Sequence, residues 1–292
     1  MHQYLRAIGF SNIKNLHQLD RIHREIQRTP DRRMVVSRSL RSSLVQLNKD
    51  YGAGGIGLSV LGEMDSEDSF LIEHSFPYIQ PGNYVHTDEV QVDKFNDRSG
   101  YYGMIDNINL SVIFTLINVA EITDYMWKAP LPSTLSVRLS GLSLGGDILL
   151  PLMKTEQDLQ YECEKMKEDL ATIHMIRHGH QELLDRMMLR EMDLKDTIDH
   201  RIDTEDVLSI VDSSMIPSGL QSDVYDIIGT IVDMNEIENV QTGEHVMLLD
   251  VACLYYVIRI AVNKNDLHGE PDIGRRFHGI TWLQGSVLLD IR

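Results

Sequence analysis

Apolar residues change their period three times along this chain, and each change marks a different kind of element. Over 15–29, Leu16, Leu19, Ile22 and Ile26 recur at helical spacing with Arg21, Arg24 and Arg28 on the opposite side, which predicts an amphipathic helix with a basic face. Asn15 is placed to cap its start, and Pro30 pushes Thr29 out of helical geometry and ends it. Between 34 and 151 the period falls to two, predicting strands over 44–49, 57–63, 69–79, 109–117, 134–140 and 144–152. Leu135, Val137 and Leu139 alternate with Ser136, Arg138 and Ser140, as in a sheet with one wet face. Gly145 and Gly146 are expected to turn the chain as a hairpin.

From 155 to about 203 the pattern becomes helical and acidic. Leu159, Cys163, Met166, Leu170 and Ile173 form a helical seam that fails between Arg177 and His180, so a kink or a second helix is expected there. The methionines Met187, Met188 and Met192 read as core filler. After 204 strands return, over 207–211, 225–232, 244–252, 255–262, 277–283 and 286–291. The apolar span 246–262 is too long for one ordinary strand, which predicts a bend near 252–254. The expected fold is α+β: two antiparallel β-rich regions separated by an acidic helical segment, with a basic N-terminal helix. Its expected divisions are 1–153, 154–203 and 204–292, the last a β barrel or sandwich.

Composition narrows the function classes. The 292 residues suffice for one large or two modest domains, and 42% apolar with 24% charged residues is an ordinary globular balance. Cys163 and Cys253 lie far apart in apolar surroundings, which predicts two buried thiols rather than a disulfide or zinc knuckle. No run of about 18 apolar residues is present, and the opening residues lack the apolar core of a signal peptide, so a soluble cytoplasmic protein is expected. The net charge of −17 is uneven: residues 1–49 hold ten Lys and Arg against three Asp and Glu, leaving 17 against 41 in the rest. An acidic body repels phosphate backbones, so nucleic acid is not an expected partner. The basic arm of Arg21, Arg24 and Arg28 is a candidate surface for an anionic partner, against the simpler reading of a solvated helix face.

Four features carry candidate chemistry. Gly52 to Gly57 satisfies G-x-G-x-x-G, yet the residues after it read as a strand where phosphate binding needs a helix, which favours a plain hairpin loop. His174 and His178 stand four apart on a predicted helix, the spacing of a metal-ligand pair, with Glu182 and Asp185 near; no H-E-x-x-H base accompanies them. The segment around Ser143 and Gly146 resembles the Ser-x-x-Gly motif of cyclic-dinucleotide-binding barrels, although Gly141 stands where that family has Asp or Asn. The fourth is the tract 266–285, DLHGEPDIGRRFHGITWLQG, which gathers glycines, an arginine pair, histidine and a tryptophan. Period-two counting puts Arg276, His278, Ile280 and Trp282 on one face, making Arg275, Arg276, His278, Trp282 and Glu270 the candidate ligand or partner site. The competing reading has an arginine paired with Glu270 or Asp272 to pin the loop and Trp282 filling the core.

That tract, the opening MHQYLRAIGFS and the segment SLGGDILLP together resemble a family of uncharacterised bacterial proteins of this length. The resemblance implies organisation and origin and assigns no activity. A weak echo between 144–152 and 283–291 is explained as well by a shared hairpin type as by duplication. The leading expectation is a non-catalytic cytoplasmic binding or interaction protein with a protein partner or a small anionic ligand and no cofactor; its apolar seam is open to two readings, a homodimer contact or packing within the chain. A metal-dependent hydrolase using His174 and His178 and a nucleotide-sensing regulator are the alternatives.

Overall fold

The computed structural model describes residues 3–37, 42–65, 69–96, 100–106, 110–152 and 211–289, with residues 164, 168, 171, 172, 175, 176, 180, 182–184, 189 and 208 between them. The fold is sheet-rich. After a 3-10 turn over Gln3–Ile8 comes helix α1 (Leu16–Arg28), whose Asn15 cap accepts a hydrogen bond from the Gln18 N–H at 3.0 Å. Leu19, Ile22 and Ile26 are buried, while Leu16, in the first turn, stays exposed. Arg21, Arg24 and Arg28 are exposed and form no ion pair among the described residues.

Four antiparallel strands follow: β1 (Arg32–Ser37), β2 (Ser42–Asp50), β3 (Ile56–Asp65) and β4 (Phe70–Ile79), paired in chain order. β2 and β3 carry unbroken buried runs because α1 and a second helix, α2 (Val119–Lys128), both contact this sheet. Gly52, Gly54 and Gly55 lie in the β2–β3 hairpin loop, with Gly54 and Gly55 at positive φ (102° and 76°), and Gly57 is already in the strand that follows, so the dinucleotide fingerprint has no helix to act with.

Among the described residues the other strands form one mixed sheet of eleven: β5 (His86–Lys94), β6 (Tyr101–Asp106), β7 (Ser111–Leu116), β8 (Thr134–Ser143), β9 (Gly146–Leu149), β10 (Ser214–Pro217), β11 (Val224–Glu238), β12 (His245–Cys253), β13 (Tyr256–Asn263), β14 (Leu267–His268) and β15 (Arg276–Leu288). This corrects the expectation of two separate antiparallel regions. β8, from the first region, lies between β13 and β15 of the second, and β8–β13, β7–β15 and β9–β14 are parallel pairs. The pairings close two circuits that share the β8–β15 pair: β11–β12–β13–β8–β15, and β5–β6–β7–β15–β8. Closing strands on one another leaves few raw edges, which helps hold so many strands in a single body.

Local expectations fared unevenly. The bend at 252–254 is present as a turn with Leu254 at φ 52°. Gly145 and Gly146 make no hairpin: β8 and β9 do not pair, and both run along β15. The strands expected over 277–283 and 286–291 are the single β15, which runs through Gly285, so the echo with 144–152 has no hairpin in common. Buried polar side chains join the two sheets: Gln284 Nε2 donates to the Pro77 carbonyl at 2.8 Å and Ser140 Oγ to that of Ile79 at 3.2 Å. The acidic seam, its methionines and the pair His174 and His178 lie outside the described residues.

Candidate functional site

β15 is crossed closely by the link between β8 and β9, and glycine makes this crossing feasible. A Cβ on Gly279 would meet the Phe277 ring at 2.7 Å and the Gly145 carbonyl oxygen at 2.8 Å, and one on Gly146 would meet the same ring at 2.4 Å. The main chain of these two segments floors a groove of about 790 Å³. Its walls are the N-terminal turn at Tyr4, the segment Asp266–His268 and the β10–β11 turn at Leu220.

Strand register arranges the groove's chemistry. His268, Asp147, His278 and Ile228 are successive cross-strand partners on β14, β9, β15 and β11, and the neighbouring rung aligns Ile280, Asp226 and Ile216. Aligned partners share a face, so two histidine–carboxylate pairs form: His268 Nδ1 to Asp147 Oδ1 at 3.2 Å, and His278 Nε2 to Asp226 Oδ1 at 3.0 Å. At the rim, Arg6 grips Asp266 in a two-pronged contact through Nε and Nη2, with Nη2 to Oδ1 at 2.7 Å. Beside these polar pairs lie apolar side chains in solvent: Leu220 is fully exposed, Ile216 59%, Ile280 52% and Leu144 38%.

The predicted C-terminal site is taken apart by this geometry. Arg276 is 4% exposed, and its guanidinium donates to the carbonyls of Leu150 (3.0 Å) and Val211 (2.7 Å), so it ties two chain segments together and is closed to a ligand. Trp282 is buried as well: it stacks on Tyr4 with ring centres 5.3 Å apart, and its Nε1 donates to Asp223 Oδ2 at 2.6 Å. The same carboxylate oxygen accepts from Thr115 Oγ1 at 2.6 Å. Burial, aided by Asp223, holds the Tyr4 hydroxyl above the usual tyrosine range. Arg275 Nη1 donates to the Glu270 carbonyl oxygen at 2.6 Å, inside a turn that has Gly269 and Gly274 at positive φ, so the loop is pinned through backbone and the Glu270 side chain stays exposed. Of the five predicted residues only His278 lines the groove. Asp147, Asp226, His268 and Leu220 were not anticipated; alternation in 224–228 marks a strand but does not tell which neighbour its aspartate meets.

A second cavity, of about 360 Å³, lies between the four-stranded sheet, α2 and β15. Arg32 Nη2 donates to Asp50 Oδ1 (3.1 Å) and to the Tyr78 hydroxyl (3.0 Å), which itself donates to Asp50. Burial first, and then Asp50, raises the Tyr78 pKa far above its ordinary value, with Arg32 opposing. Gln46, 5% exposed, donates to the Ile117 carbonyl (2.7 Å) and Ser59 Oγ (3.1 Å) and accepts from the Ala120 N–H (2.9 Å). Ser143, in the Ser-x-x-Gly segment, is buried with Oγ within 2.6 Å of Gly145 O and 2.8 Å of Ile280 O, so its hydroxyl is already engaged.

Among the described residues no three His, Cys, Asp or Glu side chains gather in a way that could hold a metal ion, and no helix is long and apolar enough to cross a membrane. Cys253 is buried, and burial pushes its thiol pKa up to about 12, which removes the thiolate that chemistry would need. Residues 5–285 match a family model described as "Domain of unknown function, E. rectale Gene description (DUF3881)". No curated protein and no solved structure matches the chain.

Proposed function

The chain belongs to the DUF3881 family, a domain of unknown function, and on its own geometry we propose that it is a non-catalytic binding or protein-interaction protein whose contact surface is the groove around His278. The observation that carries this reading is the group Leu220, Ile280, Ile216 and Leu144, held in solvent on well-formed strands and turns beside a large cavity. Isolated exposed apolar residues are common, but a contiguous group rimmed by polar side chains marks an interaction surface. In the same reading the closed strand circuits form a small β barrel within a cytoplasmic α+β chain.

A photo-crosslinking side chain placed at Leu220 tests this in bacterial cells expressing the protein, with the same group at Leu71, 70% exposed on β4, as the control position. The expected result is a discrete adduct from position 220 that is lost in Ile280→Ser and absent from position 71. Equal labelling from both positions, or none from 220, would count against the groove as a contact surface.

A further inference from the structure

The charge and floor of the groove identify the kind of partner it fits, an inference that rests on the binding reading above. Asp147, Asp226 and Asp266 reach the groove from three segments, and Asp266 is taken up by Arg6. Asp147 and Asp226 each face a histidine, on a chain of net charge −17. The apolar side chains Leu144, Leu220 and Ile280 line the same groove, and Ile216 on the neighbouring rung carries the apolar surface beyond it. A small amine would satisfy the carboxylates and leave that apolar continuation uncovered.

Three kinds of occupant can be compared by charge and shape. The chain's own stretch 153–210 carries 15 Asp and Glu against eight Lys and Arg, so its charge opposes entry. A second copy docking groove to groove would set Asp147 and Asp226 of one copy against the same carboxylates of the other, an arrangement that costs energy. An extended segment of another protein meets both demands. Its side chains alternate between two faces, its main chain can lie close to a floor made of backbone at Gly145, Gly146 and Gly279, and basic and apolar side chains can reach the carboxylates and the leucines together.

We infer that the groove between the β10–β11 turn and the Asp266–His268 segment binds an extended partner segment that carries both basic and apolar side chains, with Asp147 and Asp226 selecting its charge and Leu220 and Ile280 its apolar residues.

The Tyr4–Trp282 stack at the wall of the groove supplies the readout, because Tyr4 lines the groove and the other tryptophan, Trp127, is removed by Trp127→Phe. Three seven-residue peptides are titrated while Trp282 fluorescence is followed: acetyl-Ser-Lys-Leu-Arg-Ile-Lys-Ser-amide, the same peptide with Glu at the three basic positions, and the same with Ser there. The expected order is basic, then neutral, then acidic, with about tenfold between first and last at low salt, shrinking at high salt. In the Asp147→Asn/Asp226→Asn double variant, checked for an unchanged melting temperature, the basic and neutral peptides should bind alike. Equal affinity for all three peptides would overturn the charge assignment and leave the binding reading standing. No response to any peptide, with the crosslinker at Leu220 capturing a second copy of this chain, would overturn the proposal in favour of self-association.

Discussion

The groove around His278 and the cavity beside Arg32 sit on one scaffold and treat polar groups in opposite ways. Beside Arg32, a guanidinium, a phenol, a carboxylate and a buried amide are knitted into internal hydrogen bonds, from Arg32 to Asp50 and Tyr78, from Gln46 to the Ile117 carbonyl and from the Ala120 N–H to Gln46. In the groove, the polar pairs are partly exposed side chains next to isoleucine and leucine side chains that folding leaves in water. A buried polar group without partners is costly, so the first arrangement is what a fold needs in order to bring α2 and the two sheets together. The second gains folding little, and this contrast is what supports the proposal of a contact surface there. Cavity size alone does not separate the two; the destination of the hydrogen bonds does.

The largest effect is expected where the network is most buried. Gln46→Ala would strip the Ile117 carbonyl and the Ala120 N–H of their side-chain partner at the junction of β2 and α2, and should lower unfolding free energy by about 2–4 kcal/mol. Urea denaturation measures this directly. A loss under about 0.5 kcal/mol would mean that the cavity beside Arg32 is no more structural than the groove, and the contrast would collapse.

The same contrast marks the limit of what could be read from sequence. Strands β2 to β4 and β11 to β13 were legible because apolar residues run or alternate strongly there. β5, HTDEVQVDK, and β6, YYGMID, carry charged and aromatic residues that dilute the period, and α2 follows so closely on the apolar run of β7 that no boundary stood out. The long-range pairings have no local signature at all: nothing in 134–143 says that β8 lies between β13 and β15. The site shows how a correct period can mislead. Arg276, His278, Ile280 and Trp282 do alternate along β15, but cover changes along the strand. Leu150 and Val211 close over Arg276 at one end, Tyr4 and Asp223 over Trp282 at the other, and only His278 and Ile280 in the middle remain open to the groove.

A titration sharpens the comparison further. Tyr78 has its pKa raised in the folded state, by burial and by Asp50, so its contribution is fully present below the ordinary tyrosine pKa of about 10 and is lost as pH rises above it. The unfolded chain then releases a proton that the folded chain must keep, at about 1.4 kcal/mol per pH unit for each such tyrosine. Tyr78→Phe should therefore flatten the alkaline fall in stability by one tyrosine's share. Tyr51 and Tyr225, also raised by burial, keep part of the slope. At neutral pH the same variant should cost about 1 kcal/mol for the lost hydrogen bond to Asp50. An unchanged alkaline slope would remove Tyr78 from the network that distinguishes the inner cavity.

The smallest effect is predicted for the groove, and it carries the most information. Ile280 is 52% exposed between Asp226 on β11 and the β8–β9 link, so Ile280→Ser removes apolar surface that is already largely in water and should change stability by no more than about 0.5 kcal/mol. Replacing a β-branched strand residue by serine has a modest propensity cost of the same order, which sets the size of signal to expect. Thermal melts of wild type and Ile280→Ser at one protein concentration would measure it. A near-zero shift agrees with a side chain that the fold does not use, and makes any loss of binding in this variant attributable to the contact itself. A shift worth more than about 1 kcal/mol would mean that the isolated protein already covers Ile280, and the exposed apolar group could then no longer be assigned to a partner.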